Sequence, residues 1–193
     1  MIDPIVAGPR IYLRHTRLDD IDKGWLEWIN DTELTRYLMT KPPISREKLV
    51  EFFLSSQPPQ TYMMAVCDKE TDEYIGNARI SKVDYVNQHA TYGRLIGNRA
   101  YYGKGIGKEV IMLILKFGFS VLGLHRMYAG ALASNQASIH SNLKSGLRHE
   151  GTQRGAVRKG NEHLDILWFS VLKHEFKHFI QKQNPIMLEV FEH

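Results

Sequence analysis

The sequence predicts an α+β domain: a mixed, mostly antiparallel central sheet flanked by helices. Three observations carry this. The alternating runs TYMMAVCD, YIGNARISKV and HATYGRLIG follow one another between residues 61 and 97 with turn residues between them, as in an antiparallel meander. After them comes a long helical pattern whose apolar positions, Val110, Ile111, Leu113, Ile114, Phe117 and Val121, leave little polar surface. The order strand, two helices, three strands, helix, strand, helix, two strands lacks the strict alternation of a doubly wound parallel sheet.

Each element has a local reason. RIYLRHT (Arg10 to Thr16) alternates as a strand should. Leu18, Ile21, Trp25, Trp28 and Ile29 then recur at helical spacing. The prolines of KPPIS break the chain, and Ser45 is placed to cap a second helix whose apolar face is Leu49, Phe52 and Phe53. Beyond the meander, the long helix runs from about Gly107 to Leu122 and ends at Gly123, which can take the left-handed conformation of a helix terminus. HRMYAGALA reads as a short strand, SNQASIHSNLKSG as a helix capped by Ser134 or Asn135 and stopped by Gly146. RHEGTQRGAVRKGNEHLDILWFSVL reads as a hairpin with the more apolar arm at Leu164 to Leu172. KHEFKHFIQKQ has the pattern of a solvated terminal helix with Phe176, Phe179 and Ile180 on its apolar side.

Composition bounds the function. The 193 residues suffice for one core and leave little room for two, so residues 1–193 are read as a single domain. Cys67 is the only cysteine, which excludes an internal disulfide and a cysteine-cluster metal site. No run of eighteen apolar residues predicts a membrane helix, and MIDPIVAGPRIYL lacks the basic and apolar regions of a secretion signal, so a cytoplasmic location away from membranes is expected. The net charge of +4 is spread out except in QRGAVRKG and NRAYYGKGIGK, a balance that suits an anionic ligand better than nucleic acid.

The sharpest local signal is YYGKGIGKE, with glycines at 103, 105 and 107 just before the long helix. A nucleotide-binding P-loop needs glycine where Tyr102 stands and Ser or Thr where Glu109 stands. The dinucleotide fingerprint needs its third glycine where Lys108 stands. What remains is a turn whose backbone amides can converge on an anion at the positive end of a helix, with Lys104 and Lys108 adding charge. A tight strand-to-helix turn without a ligand is the plain alternative.

YYGKGIGKE, NQASIHSNLKSGL and HEGTQRGAVRKGNEHLDILWFSVL, with the helix WLEWINDTELTRYL, resemble in order and spacing the GCN5-related N-acetyltransferase (GNAT) family. Within it the chain looks most like the branch of ribosomal-protein N-terminal acetyltransferases and their relatives acting on small amines. The resemblance covers about residues 10–173, leaving 174–193 as a C-terminal tail. It implies transfer of acetyl from acetyl-CoA, a co-substrate, to a primary amine by direct attack in a ternary complex, with no metal. Tyr102, Gly103, Lys104, Gly105, Ile106, Gly107 and Lys108 would hold the coenzyme A diphosphate. Leu95, Ile96 and Gly97 would pair by backbone with the pantetheine arm, an amide at or beside Ile96 facing the thioester oxygen. Asn135 would hydrogen-bond the same arm. Trp28, Asn30, Asp31, Glu33 and Arg154 would border the acceptor, which is a small amine, an amino sugar or a protein N-terminus.

Three positions depart from the family pattern. Tyr102 replaces the Gln or Arg that usually opens the loop, and Thr91 the glutamate that often assists deprotonation. Asn142 replaces the tyrosine that often protonates the leaving thiolate, so Ser138 and Asn142 are the residues put forward on that side. For the base, His163, Glu33 and Asp31 are candidates by position, with His89 and Asp165 below them. Arg154, Arg158 and Lys159 suggest an anionic acceptor. Edge strands offer a route to a homodimer.

Two other readings compete. HEFKH (His174 to His178) matches the His-Glu-x-x-His pattern of zinc peptidases, with Glu189, Glu192 or His193 as the third ligand. A non-catalytic coenzyme A-binding protein on the same fold would keep the glycine loop without the chemistry.

Overall fold

The computed structural model describes residues 4–40, 42–182 and 189–191. In chain order its elements are β1 (Pro4–Ala7), β2 (Ile11–His15), α1 (Trp25–Asn30), α2 (Arg46–Ser55), β3 (Thr61–Asp68), β4 (Tyr74–Asp84), β5 (His89–Ile96), α3 (Ile106–Ser120), β6 (Arg126–Leu132), α4 (Gln136–Lys144), β7 (Arg148–Lys159), β8 (Glu162–Leu172), α5 (Lys173–Lys182) and β9 (Glu189–Val190). The strands form one sheet in the order β7-β8-β6-β5-β4-β3-β2-β1-β9. Only the β5–β6 pair is parallel, as expected where α3 provides the crossover; the other pairs are antiparallel. The α+β expectation is met.

Helices cover both faces of the sheet. On one face α3 buries Val110, Ile111, Leu113 and Ile114 against Ile11, Leu13, Met64, Val66, Ile80 and Met127, all fully buried. Each such side chain contributes about 1.5–3 kcal/mol. The other face carries α1, α2 and the 3-10 turn Leu18–Ile21, packed through Ile21, Trp25, Ile29 and Leu49 onto Met63. The buried Arg14 guanidinium lies beneath them and grips Asp20 through two bonds of 2.7 and 2.6 Å.

Several termini are as expected: the Ser45 hydroxyl accepts from the Lys48 amide at α2, and Asn135, not Ser134, caps α4. The helical pattern from Leu18 to Leu38 is not one helix. It divides into 3-10 turns at Leu18–Ile21 and Leu34–Tyr37 on either side of α1, because Gly24 takes φ 143° and Asp31 leaves the helical region. Two strands carry no sequence expectation, β1 and β9. PIVA is too short to show alternation, yet it pairs Val6 with Leu13 and is buried. The apolar side of α5 seats Phe176 on Phe119 at 5.3 Å between ring centroids. Among the described residues no helix is long and apolar enough to cross a membrane.

One irregularity shapes the molecule. β5 and β6 pair only over His89–Thr91 and Arg126–Tyr128. Beyond that point β5 follows β4 to Ile96 while β6 follows β8 to Leu132, so the sheet opens into a cleft along the second half of β5.

Candidate active site

At the closed end of the cleft, Ala90 and Tyr92 point to the α3 side and Thr91 and Gly93 to the α1–α2 side, by the two-residue period of a strand. β5 ends where the Gly97 and Asn98 amides both donate to the Ile75 carbonyl, at 2.9 and 3.1 Å. The Asn98 side chain accepts from the Ala100 amide and opens a 3-10 turn, Arg99–Tyr101. The Tyr102 hydroxyl returns to donate to the Ile96 carbonyl at 2.8 Å. That carbonyl belongs to the stretch expected to pair with pantetheine. Tyr102 therefore acts on the shape of the strand end.

The glycine loop follows. Gly103 and Gly105 take φ of 71° and 77°, a region L side chains rarely enter, and Gly105 is the residue before α3. Among the described residues the amides from Gly103 to Gly107 have no hydrogen-bond acceptor, whereas those of Lys108 and Glu109 both reach the Gly105 carbonyl. Arg10 fixes the loop, donating to the Lys104 carbonyl at 2.7 Å and, through Nε, to Glu109 at 2.8 Å. Glu109 is buried and also accepts the Arg10 and Ile11 amides at 2.8 and 3.1 Å. The glutamate that breaks the P-loop pattern is thus the anchor of this loop. Free amides, absent Cβ atoms and a helix N-terminus fit a diphosphate.

Arg94 extends this side. A Cβ on Gly107 would stand 3.6 Å from both Arg94 Nε and Ser141 Oγ, so the guanidinium and the hydroxyl close over the first turn of α3. Among the described residues Arg94 has no ion-pair partner, and burial pushes its pKa down. No motif in the sequence marks it.

On α4 the Asn135 side-chain oxygen accepts the Ser138 amide at 3.1 Å, which leaves its NH2 group for a ligand. Ser138 is half-buried. Asn142 is only 1% exposed and accepts the Tyr92 hydroxyl at 3.0 Å, so its side chain binds α4 to β5 and reaches no ligand directly. Burial raises the Tyr92 pKa.

The residues expected to border the acceptor serve as frame. Trp28 lies on Gly97 and beside Tyr74, its ring 4.9 Å from that of Tyr74. Asn30 uses its whole amide group on the Leu26 and Ile44 backbones, at 2.7–2.9 Å. Asp31 and Glu33 both pair with Arg99 at 2.8 Å. The Leu34 amide and then Arg99 hold Asp31 below the usual carboxylate range. Arg154 sits exposed in a bulge of β7, where the Gly155 amide donates to Asp165 at 2.8 Å. His163 is exposed on β8 opposite Arg158. Lys159 at the hairpin tip donates to the Arg36 carbonyl, so β7 and β8 reach across to the 3-10 turn after α1. His89 stands at the closed end with Nδ1 buried and unpartnered among the described residues and Nε2 3.7 Å from Asp84. A separate concavity of about 550 Å3 between Arg10, Lys69, Glu73, Tyr101 and Lys104 touches the loop at Lys104 and Ile106 only and does not include the cleft.

The HEFKH segment falls on α5. Glu175 accepts the Leu172 amide at 3.0 Å and pairs with Arg148 at 2.8 Å, so both its oxygens are engaged. Glu189 lies on β9 at the opposite end of the sheet order from β8; Glu192 and His193 lie outside the described residues. Among the described residues no three of His, Cys, Asp and Glu are arranged so that they could hold a metal ion.

Residues 10–148 match the family described as acetyltransferase (GNAT) domain. The chain is 29% identical over 171 residues to an uncharacterized N-acetyltransferase p20 of Bacillus licheniformis, covering 86% of this chain and 95% of that protein. It is 24% identical over 167 residues to the spermidine N(1)-acetyltransferase of Escherichia coli K12, covering 85% and 77%. In fold it is similar to the spermidine N-acetyltransferase from Vibrio cholerae in complex with CoA and spermine, with a TM-score of 0.80, 20% identity, and 86% and 98% of the two chains covered.

Proposed function

Because the chain belongs to the acetyltransferase (GNAT) family and is an acyl-CoA-dependent N-acetyltransferase, we propose that it acetylates a small primary amine brought to the cleft from the α1–α2 side. The observation that carries this reading is the parting of β5 from β6 after Thr91, with the unclaimed loop amides following at the far end of β5. Acetyl-CoA, used by members of this family, supplies an acetyl group already activated as a thioester. The Gly103 to Gly107 amides with Lys104 and Lys108 bind the diphosphate, and the half of β5 that β6 leaves lends backbone groups from Leu95 to Gly97 to the pantetheine arm. The Asn135 NH2 group steadies the same arm. A backbone amide at or beside Ile96 stabilises negative charge growing on the thioester oxygen. Ser138 supplies a hydroxyl to the departing sulfur; Asn142, through Tyr92, holds α4 in place.

The amine must lose a proton before it attacks. Asp31 and Glu33 are engaged by Arg99, and Asp31, held below the usual carboxylate range, is a weak base. His163 has no ion pair or hydrogen bond among the described residues and is the base of this reading, acting through water. Trp28, Asn30 and the Arg99 clamp shape the acceptor's border, with Arg154 at its outer rim. The spermidine acetyltransferases among the relatives favour a small amine. The likeness of WLEWINDTELTRYL to the ribosomal-protein branch favours a protein N-terminus as the second reading.

The test is calorimetric titration with acetyl-CoA, then thiol release with a panel of amines. Binding that Gly105→Glu abolishes, followed by amine-dependent release, is the expected result. Binding with no release for any amine or N-terminal peptide would instead identify a coenzyme A-binding protein without transferase activity.

A further inference from the structure

The sheet face beneath α1 and α2 carries a guanidinium that no acid among the described residues pairs with. Arg79 lies on β4 with Met63 and Gly93 as its lateral neighbours, so it shares a face with Thr91 and Gly93 at the point where β5 parts from β6. Its carbon stands 5.9 Å from the centre of the Phe52 ring on α2, and among the described residues it has no hydrogen bond and no ion pair. The side chain is half-buried, and burial alone lowers its pKa. A side chain at Gly93 would meet nothing within 4 Å, so the space over β5 beside Arg79 is open. Two residues earlier on the same face, Asn77 is 6% exposed and keeps its Nδ2 buried without a partner, while its oxygen accepts the Tyr74 hydroxyl at 2.8 Å.

Four acids on this side are engaged, while Glu27, Glu47 and Glu51 of α1 and α2 are exposed to solvent. Asp31 and Glu33 pair with Arg99, Asp20 with Arg14, and Asp22 with Arg46. A polyamine entering here would compete with Arg99 for its carboxylates and would meet Arg79. A partly desolvated guanidinium without an anion is unfavourable in the free protein and is relieved by a ligand oxyanion.

We propose that the acceptor is an anionic primary amine, carrying a carboxylate or phosphate that Arg79 binds beside Gly93 while the amine lies at the mouth of the cleft. This rests on the acetyltransferase reading above and narrows it from small amines to amines with an oxyanion. Arg79 is then a specificity-determining residue of the acceptor site.

The experiment compares butylamine, spermidine, β-alanine and O-phosphoethanolamine as acceptors for the wild type, Arg79→Gln and Arg79→Lys, with thermal unfolding as the check on folding. Calorimetric titration of the two anionic amines into the coenzyme A complex gives a readout without turnover. A charge-assisted hydrogen bond predicts kcat/KM about tenfold or more above butylamine for an anionic amine, lost in Arg79→Gln and partly kept in Arg79→Lys, with butylamine unchanged. β-Alanine and O-phosphoethanolamine distinguish carboxylate from phosphate. Preference for spermidine, or an equal loss for all four amines in Arg79→Gln, overturns the proposal while leaving the acetyltransferase reading standing. Binding of an anionic amine that Arg79→Gln abolishes, with no thiol release, supports the anion site and defeats that reading.

Discussion

The indole of Trp28 lies so close on Gly97 that a Cβ at position 97 would stand 1.8 Å from indole Cδ2. This contact joins α1 to the end of β5. Gly97 is needed there for close approach, since its backbone carries no positive φ.

Gly97→Ala must displace the indole or bend the strand end. Overpacking of this kind costs about 1–3 kcal/mol. The expected outcome is a lower urea midpoint together with weaker acetyl-CoA binding, because the displaced segment leads into the glycine loop. Calorimetry on the folded variant measures the second effect.

Arg94→Gln tests the α3 side of the cleft. Loss of one charged contact predicts acetyl-CoA affinity about tenfold weaker. Stability should hold or rise, since a guanidinium without an ion-pair partner leaves a half-buried site. Unchanged affinity would assign Arg94 to packing over Gly107 and Ser141.

The Arg14–Asp20 pair lies outside the site and bears on stability alone. Arg14 is 7% exposed and Asp20 is not exposed at all, with the Arg17 amide donating a third bond to Asp20 at 2.7 Å. Asp20→Ala leaves a buried guanidinium unpaired and is expected to cost about 3–5 kcal/mol, read as a large drop in thermal midpoint.

Glu150 gives a pH dependence of definite sign. Hydrogen bonding from Arg126, aided by Ser170, lowers its pKa to about 2. A folded-state pKa below the unfolded value contributes stability that is present above about pH 4.3 and lost as pH falls toward 2. The side chain is 41% exposed, so solvent screening reduces the effect to about 1 kcal/mol or less. Glu150→Gln should therefore be less stable than wild type at pH 6, with the gap closing by pH 2 in urea unfolding curves.

Much of this was legible in residues close together in sequence. The β3–β5 meander, the Ser45 and Asn135 caps and the long buried helix follow from period and capping chemistry, which are local. So does the glycine loop: Gly103 and Gly105 take positive φ in a turn that their neighbours alone imply. β1 has no signature in the sequence because four residues cannot display a period and owe their place to pairing with β2.

What the sequence by itself determined is the class of fold, the glycine loop before α3 and, through the motifs around it, the family. What only the tertiary structure decided is which side chains are free to act. Asn30, Asp31, Glu33 and Asn142 carry suitable groups, but each is engaged by a partner or buried, Asn142 by a tyrosine fifty positions away. Arg79 and Arg94 carry no mark in the sequence. Whether a polar group has spent its hydrogen bonds or charge on the protein depends on contacts between distant segments, which the one-dimensional pattern does not record.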